Sequence, residues 1–202
     1  MKIVISCALL LMLLGACTTA KLDEVAPPSQ STQVIVPESY NARVERFSAG
    51  ETDYAGLYNN FEYKATLENS YIRETLIWKQ AHYYEWNDGQ KSLAREKSNQ
   101  EMSSQTKVFL AFFTPSPKND NLADSKTIWR IYIDAGGHRY EGKVVRIRLL
   151  LAELQALYPY MTRWTTPYEI TFDVPTAAIE SQVSTLTVTG PLGARSVQFK
   201  SL

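Results

Sequence analysis

Few residues of this chain carry reactive side chains. Two cysteines, Cys7 and Cys17, offer thiols, and two histidines, His82 and His138, offer imidazoles. A zinc site gathers three or four His, Cys or acidic ligands, and no HExxH, CxxC or HxH spacing is present. Asn119, Asp120, Asn121 and Asp124 crowd oxygen atoms as a calcium loop does. They lack a closing glutamate and have Lys118 and Lys126 beside them, so a polar loop is the reading. No metal and no cofactor is expected. The sequence holds no Gly-x-Ser-x-Gly elbow, no Gly-x-Gly-x-x-Gly and no Gly-Lys-Ser/Thr loop, which argues against serine hydrolysis and nucleotide chemistry.

Aromatic residues are the surplus. Trp78, Tyr83, Tyr84 and Trp86 fall within nine residues, and Tyr158, Tyr160 and Trp164 lie together further on, with Arg146 and Arg148 one strand away. Core packing accounts for most aromatics in a sandwich. Clustered Tyr and Trp also line sugar and peptide sites, so these nine residues are the candidate binding surface. His82 is expected to be partly buried and His138 solvated. A pair of carboxylates flanking a glycosidic bond needs only to meet in space, which keeps a hydrolase as the alternative.

Residues 1–16 have the three parts of an export signal: Lys2, an apolar run over residues 3–14, then Gly15 and Ala16. The run is too short to span a bilayer, which takes about 20 apolar residues. Leu14-Gly15-Ala16-Cys17 resembles the lipobox of bacterial lipoproteins. That resemblance implies cleavage between Ala16 and Cys17, a diacylglyceryl group on the Cys17 thiol and an acylated amino terminus. Two or more acyl chains give stable anchoring where one holds only marginally. Thr18 and Thr19 follow, with no aspartate of the enterobacterial inner-membrane retention kind, so the resemblance favours the outer membrane.

Removing residues 1–16 takes Lys2 and no acid, leaving a formal charge near minus one. Such balance gives no electrostatic reason to expect nucleic acid. With Cys17 acylated and Cys7 removed no thiol remains, so the core alone must stabilise the fold. Residues 17–39 mix Pro, Ser, Thr and Gln without a sustained period and read as a lipidated terminus and tether. A coil of about 20 residues reaches about 25 Å. Val34, Ile35 and Val36 are the one stretch there that could dock as an edge strand.

Residues 40–202 read as one domain. Strict alternation over 61–67 and 168–174 predicts half-buried strands. Residues 107–114, apolar on both faces, predict a central strand stopped by Pro115 and Pro117. Between them a helix capped by Asn69 or Ser70 is expected, with a strand over 71–78 as the alternative. After Asp88-Gly89 the polar stretch to 105 is expected to continue it as a solvent-facing limb. Residues 116–126 read as an exposed loop. Residues 127–134 and 139–148 flank Ala135-Gly136-Gly137-His138 as a hairpin. Residues 149–157 suggest a short helix, and 185–189 with 194–200 a last hairpin around Gly190-Pro191-Leu192-Gly193.

These elements predict a mainly β fold: an antiparallel immunoglobulin-like β-sandwich of about seven strands with a helical insertion at about 69–105. The phrases WRIYI, LYP, PYEITF and TGPLG are similar to uncharacterised bacterial lipoproteins with such a sandwich. The expectation is a lipid-anchored envelope lipoprotein acting as a non-enzymatic binding or scaffold module. Its partners would be the membrane, through Cys17, and an envelope protein or glycan.

Overall fold

A computed structural model of the chain describes residues 38–202. The expected signal segment, the attachment point at Cys17 and an edge strand at 34–36 lie outside the described residues. The described residues are mainly antiparallel β: nine strands in two sheets, with five helices. No helix among them is long and apolar enough to cross a membrane.

One sheet has five strands: β1 (Ser48–Ala55), β2 (Tyr58–Leu67), β3 (Thr106–Phe113), β7 (Thr166–Phe172) and β6 (Lys143–Arg146), in that spatial order. The other has four: β5 (His138–Glu141), β4 (Arg130–Ala135), β8 (Ser184–Gly190) and β9 (Gly193–Phe199). Alternate residues of both sheets, among them Phe61, Leu110 and Ile170 from the first and Ile133, Leu186 and Phe199 from the second, share one core. Trp129 crosses it edge-on to Phe61 and Phe112, its indole N–H donating to Asn119 O at 2.6 Å. Period-two burial of an apolar face is what drives two sheets together.

The strand over 106–113 is apolar on both faces because both faces are covered. Val108, Leu110 and Phe112 point into the shared core, while Phe109 and Ala111 face helices. Those helices are α1 (Tyr40–Arg46), α2 (Ser70–Tyr83) and α4 (Leu151–Leu157), which contribute Val44, Ile72, Leu76, Leu154 and Leu157 to a second core. A short α5 (Thr176–Glu180), between β7 and β8 in chain order, buries Ile179 in the shared core.

Nine strands replace the expected seven for two reasons. The edge strand β1 has no apolar alternation to announce it, and residues 139–148 divide between the sheets. Tyr140 and Glu141 still pair with β4, and Gly142 N donates to Ile131 O at 2.8 Å; Lys143 then opens a ladder with Thr171 of β7. A Cβ at position 142 would stand 2.5 Å from Ile170 Cγ2 and 3.2 Å from Ile131 O, so glycine alone lets the chain pass. The hairpin before it turns on Gly136 and Gly137, both at positive φ (58° and 79°), as a tight two-residue turn requires.

The loop after β3 is less exposed than its polarity suggests. Leu122 is buried, and the Asp120 carboxylate accepts from the Tyr168 hydroxyl at 2.8 Å and from the Thr166 hydroxyl. Asp120 thus ties the loop to β7.

The polar stretch after residue 88 does not continue the helix before it. Asn69 Oδ1 starts α2 by accepting from Ile72 N at 2.9 Å, and α2 ends with Glu85 at φ 51° and Trp86 N bonded to Ala81 O. A new helix, α3 (Asp88–Met102), begins at Asn87. Asn87 Oδ1 accepts from Gln90 N, and Gln90 Oε1 accepts from Asn87 N, both at 2.9 Å. This reciprocal pair satisfies two end donors at once. The new helix folds back: Arg95 pairs with Glu74 and Arg73 with Glu101, so the limb packs down and does not project.

Candidate functional site

Where α2 and α3 return to the outer face of the five-stranded sheet, they enclose a cleft of about 360 Å³. Sites for small molecules occupy about 300–1000 Å³. The helices turn matched faces to it: Arg73, Leu76, Ile77 and Gln80 at helical spacing on α2, and Ala94, Lys97, Ser98 and Glu101 on α3. Lys107 of β3 and Glu169 of β7 rise from the sheet below.

Its ionised groups form one chain. The Tyr158 hydroxyl donates to Glu68 Oε1 at 2.7 Å, and Glu68 Oε2 lies 3.1 Å from Arg73 Nε. Arg73 Nη2 donates to Glu101 Oε2 at 3.2 Å. Lys107 Nζ stands 3.1 Å from that same oxygen and 3.4 Å from Glu169 Oε2. Glu68 is 6% exposed, and a charge so buried persists only when paired. Burial works to raise the Glu101 carboxyl, but the Lys107 and Arg73 charges outweigh it and hold the group below the usual carboxylate range. Burial first, and then the negative charge of Glu68, push the Tyr158 hydroxyl well above its ordinary value, so it stays a donor.

Two donors in this cleft are left over. Ser98, 6% exposed, has a buried Oγ without a hydrogen-bond partner, an omission that costs about 1–3 kcal/mol. Arg73 Nε is close enough to Glu68 for charge attraction but out of line for a hydrogen bond, so its N–H is also unspent. The apolar walls come from Leu76, Ile77, Leu154 and Leu157, with Trp86 and Leu149 beside them. Three wider hollows, about 610 Å³ along Trp78 and His82, about 490 Å³ beside Lys64 and Tyr160 and about 400 Å³ beside Phe47 and Phe199, contain no buried charged side chain.

The nine aromatic and arginine candidates do not form one surface. Trp78 (59% exposed), Tyr83 and Tyr84 are on the outside at the end of α2, and Trp78 stacks on His82 at 6.1 Å. His82 is exposed where partial burial was expected, because it shares the outward side of α2 with Trp78. Trp86 is half-buried and lines the cleft. Tyr158 is buried, its ring 3.5 Å from that of Phe109, and reaches the cleft through its hydroxyl. Tyr160 bonds Thr66, while Trp164 is exposed under the Arg163 guanidinium, 4.8 Å from its ring. Arg146, on edge strand β6, and Arg148 are exposed. Only Trp86 and Tyr158 of the nine line the cleft.

Sequence reasoning missed Glu68, Arg73, Ser98, Glu101, Lys107 and Glu169. The single local signal was Glu169 on the polar side of its strand and Lys107 as the one charge in an otherwise apolar strand; nothing along the chain pairs residues from four elements. Compared with known proteins, the chain matches no family model, no curated protein and no solved structure.

Proposed function

We propose that this chain is a lipid-anchored cell-envelope lipoprotein, carried on the outer membrane by Cys17. Its folded part is an immunoglobulin-like sandwich serving as a non-enzymatic binding module, with the cleft under α2 and α3 as the binding site. The anchoring part of this reading rests on Leu14-Gly15-Ala16-Cys17 and the short apolar run before it. The sandwich reading draws support from two antiparallel sheets that share one core.

The observation that carries the binding reading is that the cleft's three carboxylates, Glu68, Glu101 and Glu169, are all held in ion pairs by two shared cations, Arg73 and Lys107. A glycosidase needs one carboxyl kept protonated by its surroundings to serve as general acid. Glu101 is driven the opposite way. The arrangement offers fixed charges and donors to a ligand rather than a proton to a leaving group.

Replacing Cys17 by Ser is expected to release the protein from membranes and abolish incorporation of a fatty-acid analogue; a variant still anchored and labelled overturns the placement. Photo-cross-linking from Lys97, at the mouth of the cleft, should recover an envelope component from intact membranes. Repeated recovery of nothing counts against the binding module.

A further inference from the structure

We infer that the exposed aromatic end of α2, together with the leucine segment that leads into α4, docks on the surface of a phospholipid bilayer. This rests on the anchored reading above and adds which side of the domain meets the membrane.

Trp78, Tyr83 and Tyr84 are exposed at the end of α2, and Leu150 is 72% exposed where α4 begins. The two groups form one face, because the Tyr84 hydroxyl donates to Glu153 Oε1 at 3.2 Å and Glu153 Oε2 accepts from Leu150 N at 3.2 Å. A contiguous exposed apolar patch marks a surface that something covers. Tyr and Trp, with an apolar ring and a polar tip, are the residues enriched where hydrocarbon meets water.

The start of the described residues selects the occupant. Lys79 Nζ lies 4.6 Å from the centre of the Tyr40 ring and 4.8 Å from that of Tyr83, and the Tyr40 hydroxyl donates to Leu157 O of α4 at 2.7 Å. Glu38 and Trp78 line one hollow. The segment that runs back to Cys17 therefore leaves the domain within this face. Read as a coil, its roughly 20 residues reach about 25 Å, while a domain of about 165 residues is about 40 Å across. A tether shorter than the body it holds keeps the face around Tyr40 toward the bilayer.

Charge neither drives nor opposes the contact. Arg43, Lys79 and Arg148 border the face with Glu38, Glu85 and Glu153, so the balance is close to even. Covering the rings and leucines is what remains to hold the contact, and a zwitterionic lipid suffices for that. The other exposed apolar cluster, Leu57 and Tyr58 at the turn between β1 and β2, has no tie to the tether: it stands at the far end of β1, about 24 Å from Ser48, where α1 hands over to the sheet. Four side chains bring less hydrocarbon to the bilayer than an acyl chain, and one acyl chain holds only marginally. The contact thus orients an anchored chain and lets an unanchored one wash away.

Co-sedimentation with vesicles tests this, using the mature chain from residue 17 carrying Cys17→Ser so that it bears no acyl group. One set of vesicles is phosphatidylcholine alone and the other is phosphatidylcholine and phosphatidylglycerol in equal parts, each raised to millimolar lipid. The chain should partition onto both, with a gain of no more than about threefold from the anionic lipid. Trp78→Ala should weaken partition about tenfold and Leu150→Ser about fivefold, and Leu57→Ser should leave it unchanged. All three positions are exposed, so each variant keeps its fold. No partition onto either vesicle overturns the inference, as does equal partition of wild type and Trp78→Ala, or a loss on Leu57→Ser as large as that on Trp78→Ala. Partition confined to the anionic vesicles puts charge in place of the apolar face and overturns it too. None of these outcomes touches the anchor, which release of Cys17→Ser from washed membranes judges separately.

Discussion

A single hydroxyl illustrates how much of the cleft rests on individual atoms. Tyr158 lies flat on Phe109 and gives its proton to Glu68, ninety residues earlier in the chain. Tyr158→Phe retains the stack and removes the hydrogen bond, leaving a buried carboxylate with one partner fewer. Urea denaturation should show a loss of about 1–3 kcal/mol. Tyr84→Phe, which removes an exposed bond to Glu153, should stay within about 0.5 kcal/mol of wild type. In the sequence Tyr158 was one of a trio of aromatics with a surface reading, because neighbouring rings give no sign of which is turned inward. The burial of Tyr158 against Phe109 follows from the outer face of β3 being covered by helices, a consequence of topology.

At the scale of elements, the line between what could and could not be read follows burial. Residues 166–172 alternate cleanly because one face is core and the other is not, and the strand at 106–113 reads as central because it is covered twice. The edge strand β1 has mostly exposed side chains and so leaves no period. Residues 139–148 misled for a different reason: the chain changes sheets at Gly142, and alternation looks the same before and after the change. The independence of α3 was written in Asn87 and Gln90, three apart, but a polar run with no apolar stripe directed attention away from its start. Asn87→Ala removes the bond that Asn87 Oδ1 accepts from Gln90 N and keeps the backbone N–H that donates to Gln90 Oε1. It should cost about 1 kcal/mol, and hydrogen exchange should speed in residues 88–92 while the core strands stay protected.

Across the whole molecule, α3 is held by charge more than by apolar burial, since Ser98 is its one buried residue. Glu101 joins it to Arg73 on α2 and Lys107 on β3. Because the Glu101 pKa lies lower in the folded protein than its ordinary 4.5, the stability it contributes is complete above that pH. It is lost as the pH falls through the lower folded-state value. Melting temperature followed against pH should therefore separate wild type from Glu101→Gln near neutrality, and the two curves should converge below pH 4.5. Curves that stay parallel into acid would show that the carboxylate charge contributes nothing to holding the helix.

The two helices enter and leave the sheet at neighbouring rungs. Leu67 pairs with Val108, and just beyond them Glu68 N donates to Lys107 O at 3.0 Å. In architectural terms the whole segment from Asn69 to Gln105 is an enlarged hairpin loop, and the strands it joins are already closed without it. The floor of the cleft, Glu68, Lys107 and Glu169, belongs to the sheet and is fixed by the core behind it. The roof belongs to the loop, and its length and side chains can change without any strand having to move. Outside Arg73 and Glu101, which are paired to that floor, an exchange of roof side chains would alter the lining of the cleft while the floor kept its place in the sheet.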